Sequence, residues 1–133
     1  MKETGLWTLI RMNIKGHCQR IENAVGLGTP DVNCCYNGSD VWIELKIVKG
    51  NLLLFEWSQI AWFKQRTHEK INGNVLVIAR HKENIIAFEA RNLPTEKLKR
   101  KVNKAGLDIR DVEYVSWSKP YDWAQIMFYI YNK

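Results

Sequence analysis

The sequence lacks the patterns that mark several common kinds of site. Its three histidines, His17, His68 and His81, are scattered without a metal-binding spacing, which disfavours a histidine metal site. No glycine-rich loop leads into Lys-Ser or Lys-Thr, which disfavours an ATP-driven function and a nucleotide cofactor. No apolar run approaches the roughly 18 residues of a membrane span, and the N-terminus does not resemble a secretory signal. We therefore expect a cytoplasmic protein with no membrane partner.

Cysteine is scarce as well. Cys18, Cys34 and Cys35 are odd in number, and their spacing matches no zinc motif. We predict that all three are free thiols in a reducing compartment.

Acidic residues are outnumbered by basic ones. The chain has 20 Lys and Arg against 14 Asp and Glu, with a formal net charge of +6 and an isoelectric point of about 9.3. This balance favours a polyanionic partner. A length of 133 residues with 46% apolar content is typical of one globular domain. We expect a single domain over residues 1–133, with a core in about 3–90 and a basic helix and an aromatic tail in 91–133.

Hydrophobic periodicity predicts an α/β or α+β domain in which helices flank a mixed central sheet. The predicted order is α-β-β-β-α-β-β-α, followed by a tail with a short strand at 112–117. An Asn37-Gly38 pair predicts a tight hairpin between the second and third strands. The predicted elements are a helix at 3–15, strands at 17–23, 30–36 and 41–47, a helix from about 57 to 72, strands at 74–80 and 84–90, and a basic helix at 94–105.

Strand 41–47 carries an informative alternation. Glu44 and Lys46 fall on one face, and the residues between and around them are apolar. The hairpin can bring Asp31, at the start of the preceding strand, beside Glu44. Two carboxylates with a backbone carbonyl such as that of Leu45 suit Mg²⁺, and a neighbouring ammonium can orient water during phosphodiester hydrolysis. An E-x-K pattern also occurs on solvated strand faces; its combination with Pro30-Asp31 and a hairpin favours a metal site.

The segment GTPDVNCCYNGSDVWIELK, residues 28–46, resembles the PD-(D/E)xK nuclease signature. The whole chain resembles small phage-type members of that superfamily, related to the VRR-NUC domain and, in element order, to archaeal Holliday junction resolvases. The resemblance covers residues 3 to about 90. It implies a restriction-endonuclease-like core, Mg²⁺ or Mn²⁺ bound by Asp31 and Glu44, and a Lys46 that assists the nucleophile.

Two further site residues follow from the resemblance. Such families place a glutamate on the first helix, where Glu3 stands, but Glu22, just before the signature, competes with it for this role. Gln59 matches a glutamine at the start of the helix after E-x-K, which helps to hold the phosphate or water. An ordinary exposed helix position explains a glutamine equally well.

Contacts with DNA are expected from one aromatic and several basic residues. Trp42 shares the face of Glu44 and is the tryptophan expected to touch a base or sugar. The basic face of the predicted helix at 94–105 either contacts phosphates or is simply solvated. The basic candidates are Lys49, Lys64, Arg66, Lys97, Lys99, Arg100, Lys101 and Lys104.

These features predict a metal-dependent endonuclease that hydrolyses DNA in phage replication, recombination or repair, in the host cytoplasm. One alternative is a resolvase that cuts branched DNA as a homodimer. Another is an accessory protein that binds nucleic acid on a nuclease fold without cutting it. The intact set of Asp31, Glu44 and Lys46 argues against that second alternative.

Overall fold

The structure, a computed structural model, describes residues 2–21 and 26–132. None of the helices within these residues is long and apolar enough to span a membrane. The described helices are α1 (Glu3–Asn13), α2 (Trp57–Thr67) and α3 (Trp123–Tyr131). The described strands are β1 (His17–Arg20), β2 (Val32–Tyr36), β3 (Ser39–Ile47), β4 (Leu52–Phe55), β5 (Val75–His81), β6 (Asn84–Glu89), β7 (Lys99–Lys101), β8 (Lys104–Asp108) and β9 (Val115–Trp117).

The central sheet is mixed, with the strand order β1-β2-β3-β5-β6-β9. The middle pair, β3 and β5, is parallel, and the other neighbours are antiparallel. Asn37 and Gly38 make the tight turn between β2 and β3 with φ angles of 49° and 79°, the left-handed conformation that favours this residue pair. The predicted hairpin and the predicted fold class are confirmed.

Each face of the central sheet is covered by a separate apolar layer. Helices α1 and α3 cover one face, where Leu6, Ile10 and Ile126 pack against residues such as Leu45 and Ile78. Helix α2 and a small antiparallel sheet in the order β4-β8-β7 cover the other face. Residues beyond 90 therefore contribute to both layers, through β8 on one face and α3 on the other.

The prediction of a basic helix over residues 94–105 is wrong. The chain instead makes a single 3₁₀ turn at Thr95–Lys97 and then the β7–β8 hairpin. Val102 lies in the turn of the hairpin, where it is 88% exposed. Strand β4, which the predicted order omits, explains the difference. Its backbone pairs with β8 from Leu52–Asp108 to Phe55–Ala105, and this pairing with burial of Ala105 outweighs the local helical pattern.

The prediction of three free thiols is also wrong. The antiparallel register of β1 and β2 sets Cys18 directly opposite Cys34, and the structure joins them as a disulfide. Cys35 remains free and exposed. The sequence does not show which strands pair, so spacing alone does not reveal this juxtaposition.

Candidate active site

The register of the β2–β3 hairpin brings the two predicted carboxylates together. Val32 pairs with Ile43, so Asp31, the residue before β2, lies opposite Glu44. Opposed residues of an antiparallel pair present their side chains on the same face. Asp31 Oδ2 also accepts a hydrogen bond of 3.0 Å from the Leu45 amide. Asp31 is thus held against the backbone of the E-L-K segment.

Glu44 and Lys46 meet Gln59 of α2 on that face. Lys46 Nζ lies 3.4 Å from Glu44 Oε2 and donates to Gln59 Oε1 at 3.1 Å. Gln59 Nε2 donates to Glu44 Oε2 at 2.9 Å. The three side chains therefore form a closed triangle, in which the lysine and the carboxylate are each held twice.

The orientation of the Gln59 amide follows from its partners. Its Oε1 accepts from the Lys46 ammonium and from the backbone amide of Glu56 at 2.9 Å, while its Nε2 faces a carboxylate oxygen. A flipped amide would set its NH₂ group against both donors. Gln59 thereby connects the first turn of α2 to Glu44 and Lys46 on β3. Glu56, which precedes that turn, also pairs with Lys104 at 3.1 Å.

Sequence reasoning did not assign Glu56 to the site. The local signal is its spacing to Gln59, since an acceptor followed three residues later by Gln before an apolar run is a helix-start pattern. That pattern indicates a cap. The contact with Glu44 and Lys46 depends on how α2 packs on the sheet.

Glu44 is a buried carboxyl group with an incomplete set of partners. It is 1% exposed, and burial, together with the nearby charge of Asp31, raises its pKa to about 8 against the opposing charge of Lys46. Its Oε1 has no hydrogen-bond partner among the described residues. Buried polar atoms are nearly always paired, so this oxygen is suited to contact a cation, a proton or a water.

Glu3 is the described candidate for a third carboxylate. It begins α1, and its charge contributes to the raised pKa of Glu44. Partial burial raises the pKa of Glu3 itself, with Asp31 acting in the same direction and Lys46 in the opposite one. Its competitor Glu22 lies outside the described residues. No group of three or more His, Cys, Asp or Glu within residues 2–21 and 26–132 is arranged to hold a metal ion.

Trp42 packs against α2. Its ring packs edge-on to Trp62 with the ring centroids 5.4 Å apart. The Arg66 guanidinium lies 4.5 Å from the centroid of Trp62 and 5.4 Å from that of Trp42. Lys64 and Arg66 line a cavity of about 610 Å³ beside this cluster. The structure thus gathers three of the predicted DNA contacts at one end of α2, with Trp42 partly buried.

The other basic candidates divide into two groups. Lys49 and Lys104 line a second cavity, of about 550 Å³, together with Lys46 and Glu3. The remaining candidates lie exposed on the β7–β8 hairpin and on the turn before it: Lys97, Lys99, Arg100 and Lys101. The second cavity also includes Arg20 and Lys2, which reach it from different elements.

The mixed sheet with helices on both faces is consistent with the restriction-endonuclease-like core that the signature predicts. The chain is similar to the structure of Hjc, a Holliday junction resolvase from the archaeal hyperthermophile Archaeoglobus fulgidus, with a TM-score of 0.54. The alignment covers 83% of each chain at 14% sequence identity, so the likeness concerns the fold. No protein-family model and no curated protein matches the sequence.

Proposed function

We propose that this protein is a metal-dependent endonuclease that hydrolyses DNA phosphodiester bonds. The observation that carries the proposal is the triangle that buried Glu44 forms with half-buried Lys46 and Gln59 beside Asp31. A merely solvated strand face would expose Glu44, which is instead 1% exposed. A buried carboxyl group with a strongly shifted pKa beside a second carboxylate and a lysine is typical of functional sites.

The residues present fit a divalent cation, Mg²⁺ or Mn²⁺. Glu44 Oε1 is a buried acceptor without a described partner, and Asp31 adds a second hard oxygen donor. The Leu45 amide faces Asp31, and the carbonyl of a strand residue points to the same side as its amide, which makes the Leu45 carbonyl a third donor. When bound, such a cation polarises a phosphoryl oxygen and lowers the pKa of water.

The protein side chains hold and orient the other reactants. Lys46 is fixed by Glu44 and Gln59, so its ammonium is preorganised to orient the attacking water and to stabilise negative charge on the phosphate. Gln59 keeps both partners in place and hinders Lys46 from swinging out to solvent. The resemblance of the signature to small phage-type nucleases supports a role in replication, recombination or repair of phage DNA.

The test of this proposal is cleavage of labelled linear, nicked, flapped and four-way DNA with Mg²⁺, Mn²⁺ or EDTA. We expect strand cleavage with either metal and none with EDTA. Binding without cleavage under every metal condition would contradict the proposal and favour the accessory-protein alternative.

A resolvase acting as a homodimer is the second candidate, favoured by the likeness in fold to Hjc. It requires paired, symmetric incisions on the four-way substrate. It also requires a dimer by light scattering at the protein concentration used for cleavage. A monomer that cuts one strand of a flap would exclude this candidate.

The exposed β7–β8 hairpin leads to a prediction about DNA binding. Replacing Arg100 and Lys101 with Gln should weaken binding to DNA of any sequence, because phosphate contacts carry no sequence information. The slope of log K against log salt concentration should flatten by about 0.9 for each lost contact on duplex DNA. Fluorescence anisotropy across a salt series measures both quantities.

The matched control for that experiment removes two exposed lysines elsewhere, Lys70 and Lys82. The Lys70→Gln/Lys82→Gln variant has the same net charge but keeps the hairpin. If both double variants bind with equal affinity and slope, the hairpin is a solvated surface with no specific contact to DNA.

A further inference from the structure

The cavity of about 550 Å³ beside the candidate active site has an unusual charge balance. Five cationic side chains line it against one carboxylate, that of Glu3. The cations come from the residue before α1, from β1, β3, the turn after β3, and β8, so they converge only in the folded protein. They are Lys2, Arg20, Lys46, Lys49 and Lys104.

The rest of the lining is mostly aliphatic. Ile47, Leu52 and Leu54 are half-buried and form an apolar floor between the cations. A cavity of a few hundred Å³ with apolar walls and a few convergent charges is typical of a site for a small ligand. A nucleotide combines these properties, because its base and sugar offer apolar surface and its phosphate is anionic.

Whether a nucleotide can enter this cavity depends on whether it is base-paired. In a duplex the faces of the bases are stacked on their neighbours, and only the base edges and the backbone meet a protein. An unpaired nucleotide can be splayed out and lay its base on a protein surface. The volume of the cavity and its half-buried aliphatic lining therefore favour a strand that leaves the duplex.

The cavity and the candidate chemistry share a residue. Lys46 lines the cavity and also lies 3.4 Å from Glu44, so a nucleotide held there would be adjacent to the phosphodiester presented to Asp31 and Glu44. Lys104 also lines the cavity and pairs with the carboxylate of Glu56, whose backbone amide donates to Gln59. The wall of the cavity and the triangle are thus parts of one connected network.

We propose that this cavity binds an unpaired nucleotide next to the cleaved phosphodiester, so that the protein selects DNA where a single strand leaves a duplex. This inference rests on the proposed function and specifies its substrate. It assigns Arg20 and Lys49 to the phosphate of that nucleotide and Leu54 to its base.

The test compares a fork, made of a duplex with one unpaired arm, with a continuous duplex of equal charge. Binding is measured by anisotropy in EDTA, and cleavage by single-turnover kinetics with Mg²⁺. The wild-type protein should favour the fork by about tenfold in both measurements, the scale of one hydrogen bond to a charged group. In the Arg20→Gln/Lys49→Gln variant, the ratio of fork to duplex should fall to about one in both binding affinity and cleavage rate.

Two other variants complete the design. Leu54→Glu keeps every cation but puts a carboxylate on the floor, and it should also abolish the preference for the fork. The Lys70→Gln/Lys82→Gln variant removes two exposed charges outside the cavity and should retain the preference. Thermal unfolding establishes that each variant is folded before its ratio is compared.

The outcomes separate this inference from the proposed function. Equal binding and cleavage of fork and duplex by the wild type would overturn the inference while leaving an endonuclease. A preference that survives both cavity variants would overturn it as well. A fork preference in binding that the cavity variants abolish, without cleavage of any substrate, would support the cavity and contradict the endonuclease.

Discussion

Replacing Lys46 with Met should slow DNA cleavage by about 100- to 1,000-fold, the typical cost of losing one preorganised electrostatic contact. Methionine retains an unbranched apolar stem and lacks the ammonium, whose Nζ lies 5.0 Å from the centroid of the Phe55 ring. The substitution therefore removes the ammonium with little change in packing. Single-turnover cleavage at saturating protein and Mg²⁺ measures the effect on the chemical step.

Binding data distinguish a chemical role of Lys46 from a general loss of charge. The salt dependence of DNA affinity should stay close to that of the wild type, because Lys46 is engaged by Glu44 and Gln59. Lys70→Met, at an exposed position outside the site, is the matched control and should cleave normally. A Lys46→Met protein that cuts at the wild-type rate would show that the reaction occurs elsewhere.

The Glu44→Gln variant should be more stable than the metal-free wild type at pH 9. The folded state raises the pKa of Glu44 from 4.5 to about 8, so the folded protein binds this proton more tightly than the unfolded chain does. The stability linked to that proton is fully present below pH 4.5 and is lost as the pH rises through about 8. The loss is on the order of a few kcal/mol for a shift of this size.

Glutamine has a similar shape and no charge, so it should avoid this loss. Urea unfolding in EDTA should give nearly equal free energies for both proteins at pH 5 and a clear advantage for Glu44→Gln at pH 9. Mg²⁺ should then stabilise the wild type at pH 9 but not the variant, since a ligand that binds only the folded state raises its stability. If Glu44→Gln were more stable than the wild type by the same amount at pH 5 and pH 9, the charge of Glu44 would not be the cause of the difference.

Sequence patterns within the β2–β3 hairpin were enough to predict that Asp31, Glu44 and Lys46 lie together. The alternation in β3 correctly places Glu44 and Lys46 on one face, because successive side chains of a strand must point in opposite directions. Asn37-Gly38 predicts the turn, and the turn sets the register that brings Asp31 opposite Glu44. Strand alternation and hairpin register both depend on residues close together in sequence, where backbone geometry allows few conformations.

The sequence pattern does not predict contacts between segments that are far apart in the chain. Leu98, Val102 and Ala105 fit a helical stripe, yet their segment forms a hairpin because β4, about 50 residues earlier in the chain, lies ready to pair with it. The strand face that carries Glu44 is covered by α2 and the small sheet, and the resulting burial raises the pKa of Glu44. Neither effect has a local signal, since each depends on which distant elements bury each other's surface.

The sequence by itself therefore determined the chemical types of the site residues and their arrangement along the β2–β3 hairpin. Tertiary structure alone decided the burial of Glu44, the bridge made by Gln59 and the convergence of five cations on one cavity. The physical reason is the range of the forces involved. Strand alternation and turn conformation act between neighbouring residues, whereas desolvation and charge clustering exist only after distant segments have packed together.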